Sequence, residues 1–253
     1  MPITIHQFPC LSDNYGFLVR DEASGLAACI DTPDAGAILR ELKALGWPLA
    51  LILNTHWHPD HAGGNAEVQA ATGAKVVGPA EVTRIGALDR EVKGGDRVAL
   101  GETDFQVIES GGHTLGHVAY FDAADQVAFV GDTLFALGCG RLFEGTPAQM
   151  WTSLQRLAAL PDATRVYCAH EYTASNARFA LSVDDDAALK SRAQQIFAAR
   201  ERGEPTVPTT IGLEKATNPF LRAPLLAARV DAAGKPDHDA FAAVRAAKDS
   251  FKG

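Results

Sequence analysis

Within the seven residues Thr55-His56-Trp57-His58-Pro59-Asp60-His61 stand three imidazoles and a carboxylate. That set suits a divalent metal such as zinc, which binds imidazole nitrogen and carboxylate oxygen and, in catalytic sites, keeps a position open for water. Histidines at i and i+2, followed by Asp-His at i+4 and i+5, can aim alternate side chains at two points, which suits two neighbouring ions better than one. The run follows a continuous apolar stretch, Leu49–Asn54, expected as a buried strand. It precedes Gly63-Gly64, where glycine permits close backbone approach.

Three further motifs follow in order: Gly112-His113-Thr114-Leu115-Gly116-His117, Gly131-Asp132-Thr133-Leu134-Phe135 and Ala169-His170-Glu171-Tyr172-Thr173. The first run has the HxHxDH form of the metallo-β-lactamase superfamily, and the later motifs resemble the ligand segments of that family. The resemblance implies one ion held by His56, His58 and His113, and a second by Asp60, His61 and His170, with Asp132 bridging both. It also implies a bridging hydroxide, generated because bound metal lowers the pKa of water to roughly 7. That hydroxide would attack a carbonyl carbon while a metal stabilises the oxyanion. Asp60 would then ligate and orient the nucleophile. Zinc is the expected metal, with iron or manganese accepted by the same donors. His117 opens a strand and is expected to support the site structurally. His6 is expected as a surface or packing residue of a strand, and His238 to act locally.

Within the superfamily, Gly131–Gly145 as a whole resembles the GDTLF…GCGR…EG stretch of the glyoxalase II family. Cys168–Asn176, Thr217-Asn218-Pro219-Phe220-Leu221-Arg222 and Val244-Arg245-Ala246-Ala247-Lys248-Asp249 resemble that family's other segments. The resemblance implies hydrolysis of S-(2-hydroxyacyl)glutathione thioesters, S-D-lactoylglutathione giving glutathione and D-lactate. It assigns substrate contacts to Arg141, Tyr172, Arg245 and Lys248. Arg245 and Lys248 are three apart on an expected helix and share a face. Together they could clamp a carboxylate, the arginine as a fork and the lysine as a point charge. Phe143 stands where some members have tyrosine, so a hydroxyl contact is missing there. The thiolate leaving group, with a pKa around 8.5, needs no separate acid. The nearest alternative is a glutathione persulfide dioxygenase on the same fold, resembling single-iron enzymes without the C-terminal segments present here; the other is a different hydrolase of the metallo-β-lactamase fold.

The elements that must position these groups are short. Strands are expected at 4–8, 15–20, 26–31, 49–54, 75–77, 97–100, 104–109, 117–121, 126–130 and 165–169. Helices are expected at 35–45, closed by Gly46, and at 65–72 and 147–160, the last opened by Pro147. After His170 the character turns helical, with helices expected at 184–202 and from 239 to about 251 and a Pro/Thr-rich connector at 205–210. The fold class is α+β. The resemblance implies a four-layer αβ/βα sandwich over 1–172, carrying the metals, and a mostly helical substrate-binding domain over 173–253.

The chain has 253 residues, a formal net charge of −8 and 47% hydrophobic residues, ordinary for a soluble globular protein. The acidic balance and lack of long basic runs exclude nucleic acid as the main partner, and an anionic substrate would need a locally basic pocket. No stretch approaches a membrane span, and Met1 to Phe8 lacks the pattern of a signal peptide. Cys10, Cys29, Cys139 and Cys168 form no CxxC pair. Reduced thiols in a monomeric cytoplasmic protein are the expectation.

Overall fold

The computed structural model describes residues 3–253; the first two residues of the segment read for a signal peptide lie outside them. The chain forms two compact units. The first holds the described residues up to Glu109 together with Gly116–Gly131; the second holds Ser110–Leu115 and Asp132–Gly253. This division follows packing, whereas the 172/173 division follows sequence character, and the two fall at different places.

In the first unit, β1 (Ile3–Cys10), β2 (Asn14–Asp21) and β3 (Ala27–Ile30) form an antiparallel meander. α1 (Ala35–Leu45) then leads to β4 (Leu49–Leu53), parallel to β3. The α1 boundaries are those expected, for a local reason. Asp34 accepts a hydrogen bond from Ala37 N at 2.9 Å, and Gly46 ends the helix at φ 67°, its N–H bonded to Leu42 O. After α2 (Pro59–Ala62) and α3 (Asn65–Thr72), β5 (Lys75–Gly78) and β6 (Arg90–Glu91) complete a sheet ordered β1-β2-β3-β4-β5-β6. β7 (Arg97–Leu100), β8 (Thr103–Glu109), β9 (Val118–Asp122) and β10 (Val127–Gly131) form a second antiparallel run, paired in sequence.

Alternation along β2 shows how the first sheet is buried on both faces. Phe17 meets Phe129 of β10 at 5.7 Å between ring centroids. Leu18 turns the other way, into a cluster with Ile38, Leu42, Val68 and Val76. Each fully buried side chain of this kind contributes about 1.5–3 kcal/mol.

In the second unit, β11 (Leu134–Phe135) and β12 (Gly138–Cys139) make a small hairpin that the sequence did not announce. α4 (Pro147–Ala158) starts at Pro147 under a capping box of Thr146 and Gln149. β13 (Arg165–Cys168), α5 (Thr173–Val183), α6 (Ala187–Glu201), β14 (Thr209–Thr210), α7 (Ile211–Thr217), α8 (Ala223–Leu226) and α9 (Asp237–Ser250) follow. The helix expected over 184–202 begins three residues late. Asp186 caps α6 by accepting from Ala188 N and Leu189 N, and a separate helix, α5, precedes it. Part of the expected connector is strand, Thr209 lying opposite Val166 of β13.

Candidate metal centre

The first unit contributes four candidate donor side chains from one loop. β4 leads into the buried Asn54, Thr55 and His56. Pro59 then opens the single turn of α2, which presents Asp60 and His61, with His61 N bonded to His58 O at 2.9 Å. The turn is tight enough that a Cβ on Gly63 would overlap Pro59 O. His56 Nε2 lies 3.0 Å from His58 Nδ1, and His61 Nε2 lies 3.5 Å from Asp60 Oδ2.

Behind this loop stands a residue that sequence reading took only as a strand end, Asp31. Its Oδ1 accepts from Thr55 N at 2.7 Å, and its Oδ2 from Thr55 Oγ1 at 2.8 Å. The same Oδ2 lies 2.9 Å from His61 Nδ1. Because the Thr55 hydroxyl donates to Asp31, its contact with His56 Nδ1 at 3.0 Å must be accepted from the ring. One carboxylate thus puts the proton on Nδ1 of both His56 and His61, leaving each Nε2 as a lone-pair donor. The only sequence signal for this was an acidic residue closing an apolar strand. Asn14, which donates to Asp60 O and Asp60 Oδ2 at 3.3 and 3.2 Å, carried no signal. His117 is fully buried and stacks on His56 at 4.8 Å, a supporting position.

The second unit contributes three candidate donors from three separate segments. His113 sits on the 110–115 loop, behind Gly112 at φ 144°, where a Cβ would press on Met150. Its Nδ1 can only donate to the carbonyl of Arg141, at 2.8 Å, which again leaves Nε2 for ligation. Asp132 follows β10 and lies between two histidines. Its Oδ2 is 3.5 Å from His113 Nε2, and its Oδ1 is 3.3 Å from His170 Nε2. His170 follows β13, its ring stacked on Tyr172 at 4.6 Å and 2°.

These donor sets fit divalent ions. Tetrahedral ligation at about 2.0–2.1 Å places neighbouring donors roughly 3.3 Å apart. The four separations within the two units run from 3.0 to 3.5 Å. Imidazole nitrogen and carboxylate oxygen are the donors such ions take. None of the four cysteines is among the residues gathered here. Burial pushes the thiols of Cys10 and Cys168 up to about 12 and that of Cys139 to about 11, and holds Cys29 well above its usual range; none forms a disulfide.

Three of the four expected substrate contacts gather near Asp249. Arg245 Nη2 donates to Asp249 Oδ1 at 2.8 Å, and Arg141 Nε lies 3.9 Å from the same oxygen. Arg245 is only 5% exposed and also donates from Nη1 to Cys139 O at 3.0 Å, so it holds the chain as well as carrying charge. Arg141 is an open side chain, 69% exposed. Lys248 Nζ donates to Ser175 O at 3.2 Å. Burial, then the charges of Arg245, Arg178 and Arg141, bring its ammonium down to about 8. Tyr172, the fourth contact, is partly exposed beside His170 and packs edge-on against Phe135. Phe143 is exposed and packs edge-on against His113. His6 of β1 pairs with Glu41 of α1, and His238 lies near its neighbour Asp239.

Residues 21–170 match the family model of the metallo-β-lactamase superfamily, and residues 171–251 match that of the hydroxyacylglutathione hydrolase C-terminus. A hydroxyacylglutathione hydrolase of Maricaulis maris is 58% identical over 98% of this chain and 99% of its own length. One from Erythrobacter litoralis is 56% identical over 98% of this chain and 100% of its own length. The crystal structure of ETHE1 from Myxococcus xanthus superposes with a TM-score of 0.68 at 28% identity, covering 95% of this chain and 89% of that one.

Proposed function

We infer what the site does from one premise: the chain belongs to the hydroxyacylglutathione hydrolase family of the metallo-β-lactamase superfamily. The protein is a metal-dependent thioesterase that hydrolyses S-(2-hydroxyacyl)glutathione thioesters, S-D-lactoylglutathione yielding glutathione and D-lactate. The single observation that carries this is identity above one half along nearly the whole chain, C-terminal segments included. Those segments also disfavour the dioxygenase alternative.

Within that reading we assign His56, His58 and His113 to one divalent ion, and Asp60, His61 and His170 to a second, with Asp132 shared. The support is donor chemistry, the spacing of donors within each unit, and the Nδ1 protonation imposed on His56, His61 and His113. Divalent ions bound there would activate water near neutral pH and polarise the thioester carbonyl. Asp60, which accepts a hydrogen bond from Asn14, would orient the attacking oxygen. Arg141, Arg245 and Lys248 supply local positive charge in a chain of net charge −8, suited to the carboxylates of glutathione. Tyr172 offers a ring face and a hydroxyl beside His170. Glutathione leaves as a thiolate, so no acid is required of the protein.

Zinc is the metal we favour, and a single chain in the cytoplasm the working form. No helix among the described residues is long and apolar enough to cross a membrane. The test is loss of thioester absorbance from S-D-lactoylglutathione before chelation, after chelation and after metal return. Chelator-sensitive release of glutathione and D-lactate supports the reading. No turnover by folded, metal-loaded protein would remove it, and oxygen uptake with glutathione persulfide would then point to the alternative.

A further inference from the structure

The hairpin of β11 and β12 cannot hold itself. Each strand has two residues, and the turn between them is Ala136-Leu137, without the Asn, Asp or Gly that hairpin turns favour. Leu137 moreover stands at φ 56°, a left-handed conformation that a leucine keeps only where its surroundings impose it.

The surroundings do impose it, at five successive residues. Asn218 Nδ2 donates to Phe135 O at 3.1 Å and Gly138 O at 3.0 Å. Asn176 Nδ2 donates to Ala136 O at 3.1 Å, and Leu137 N donates to Glu214 Oε2 at 2.9 Å. Arg245 Nη1 donates to Cys139 O. The Leu137 side chain is buried among Ala177, Ala180, Leu189 and Ala193 of α5 and α6. At the centre is Glu214 of α7, fully buried. Its Oε1 accepts from Arg192 Nη2 and Thr209 Oγ1, both at 2.5 Å, and its Oε2 also accepts from Asn218 Nδ2 at 2.9 Å.

The hairpin in turn touches all three donors of its unit. Gly140 N bonds to Thr133 O, and a Cβ on Gly140 would overlap Asp132 O. Arg141, the second residue after β12, supplies the carbonyl that orients His113. The Phe135 ring stands edge-on to His170 at 5.9 Å.

We propose that Glu214 is a positioning residue for the metal centre. Through Leu137 and Asn218 it sets the placement of hairpin 134–139, and the hairpin sets the donor atoms of His113, Asp132 and His170. This rests on the metal reading given above. The carboxylate is required because all four of its partners are used as donors, and a primary amide would turn a donor toward two of them.

The experiment compares wild type, Glu214→Gln and Thr210→Ala. Thr210 caps α7 by accepting from Leu213 N, so its loss weakens the helix without touching the grip on the hairpin. Zinc affinity is measured by chelator competition, hydrogen exchange of residues 131–141 is followed in metal-free protein, and kcat and KM are measured separately. Glu214→Gln is expected to weaken zinc binding by roughly 10–100-fold, to speed exchange in the hairpin, and to lower kcat with KM little changed. Thr210→Ala should lower Tm alone. If Glu214→Gln does not fold, Asn218→Ala carries the same expectation. Unchanged zinc affinity and exchange in a folded variant would overturn the proposal, as would equal zinc loss in Thr210→Ala. If wild type binds no divalent ion, the metal reading fails on its own. Hairpin exchange then still decides whether Glu214 holds the segment, and unchanged exchange overturns that too.

Discussion

The two units solve one problem, presenting imidazole nitrogens with a defined tautomer, in different ways. The first unit spends six consecutive residues, 56–61, on four donors and fixes two rings with one buried carboxylate, Asp31. The second draws His113, Asp132 and His170 from three distant segments, and fixes His113 with a main-chain carbonyl. A carboxylate carries its own charge and needs only a strand end to hold it. A carbonyl is only as well placed as the segment that bears it, so the second unit depends on a hairpin gripped by helices far along the chain. Donors packed into one loop demand local order; donors scattered along the chain demand tertiary order.

The largest expected effect would break the comparison at its shared point. Asp132→Ala removes the carboxylate facing both His113 and His170 and should lower turnover by more than about 10³-fold in a chain that still melts cooperatively. Substantial activity in that variant would end the assignment of Asp132 to the centre. Next, Asp31→Asn keeps the shape but cannot serve as the common acceptor for Thr55 and His61, so zinc affinity should fall by about 10–100-fold in chelator competition. A loss confined to Tm would mean that tautomer control in the first unit is unimportant.

A smaller effect concerns Lys248. Its ammonium, lowered to about 8, is charged below that pH and neutral above it, so contact with a substrate carboxylate is present at low pH and lost as pH rises. KM for glutathione thioesters should rise by about tenfold between pH 7 and 9, and Lys248→Met should be high and flat across that range. A wild-type KM that does not move would remove Lys248 from substrate binding. Smallest of all, Thr146→Ala breaks the capping box of α4, a helix that supplies no donor side chain. It should cost about 1 kcal/mol in thermal unfolding while leaving zinc affinity unchanged.

The comparison also explains what could be read beforehand. The loop of the first unit is a contiguous pattern, and the glycine-flanked positions of His113 and Asp132 repeat known spacings, so all seven proposed donors stood out. α1, α3 and β7 matched their expected limits because their caps and alternation are local. The hairpin was invisible because Leu137 adopts a glycine-like conformation under tertiary force alone. The Arg192–Glu214 pair joins residues of separate helices and has no spacing to betray it. Arg245 was expected as half of a carboxylate clamp; that its guanidinium also donates to Cys139 O had no signal in the sequence. Asp31 was legible as a strand end but not as the acceptor that the Thr55 hydroxyl and the His61 ring share.

The buried thiols bear on what happens after each turnover, when a thiol product leaves. Thiol–disulfide exchange runs through the thiolate. With their pKa values pushed by burial to about 11 or 12, Cys139, Cys10 and Cys168 hold almost no thiolate at neutral pH. Cys29 is fully buried as well. An enzyme whose product is itself a redox buffer therefore carries no cysteine readily captured as a mixed disulfide, and its activity should be insensitive to the ratio of that thiol to its oxidised form.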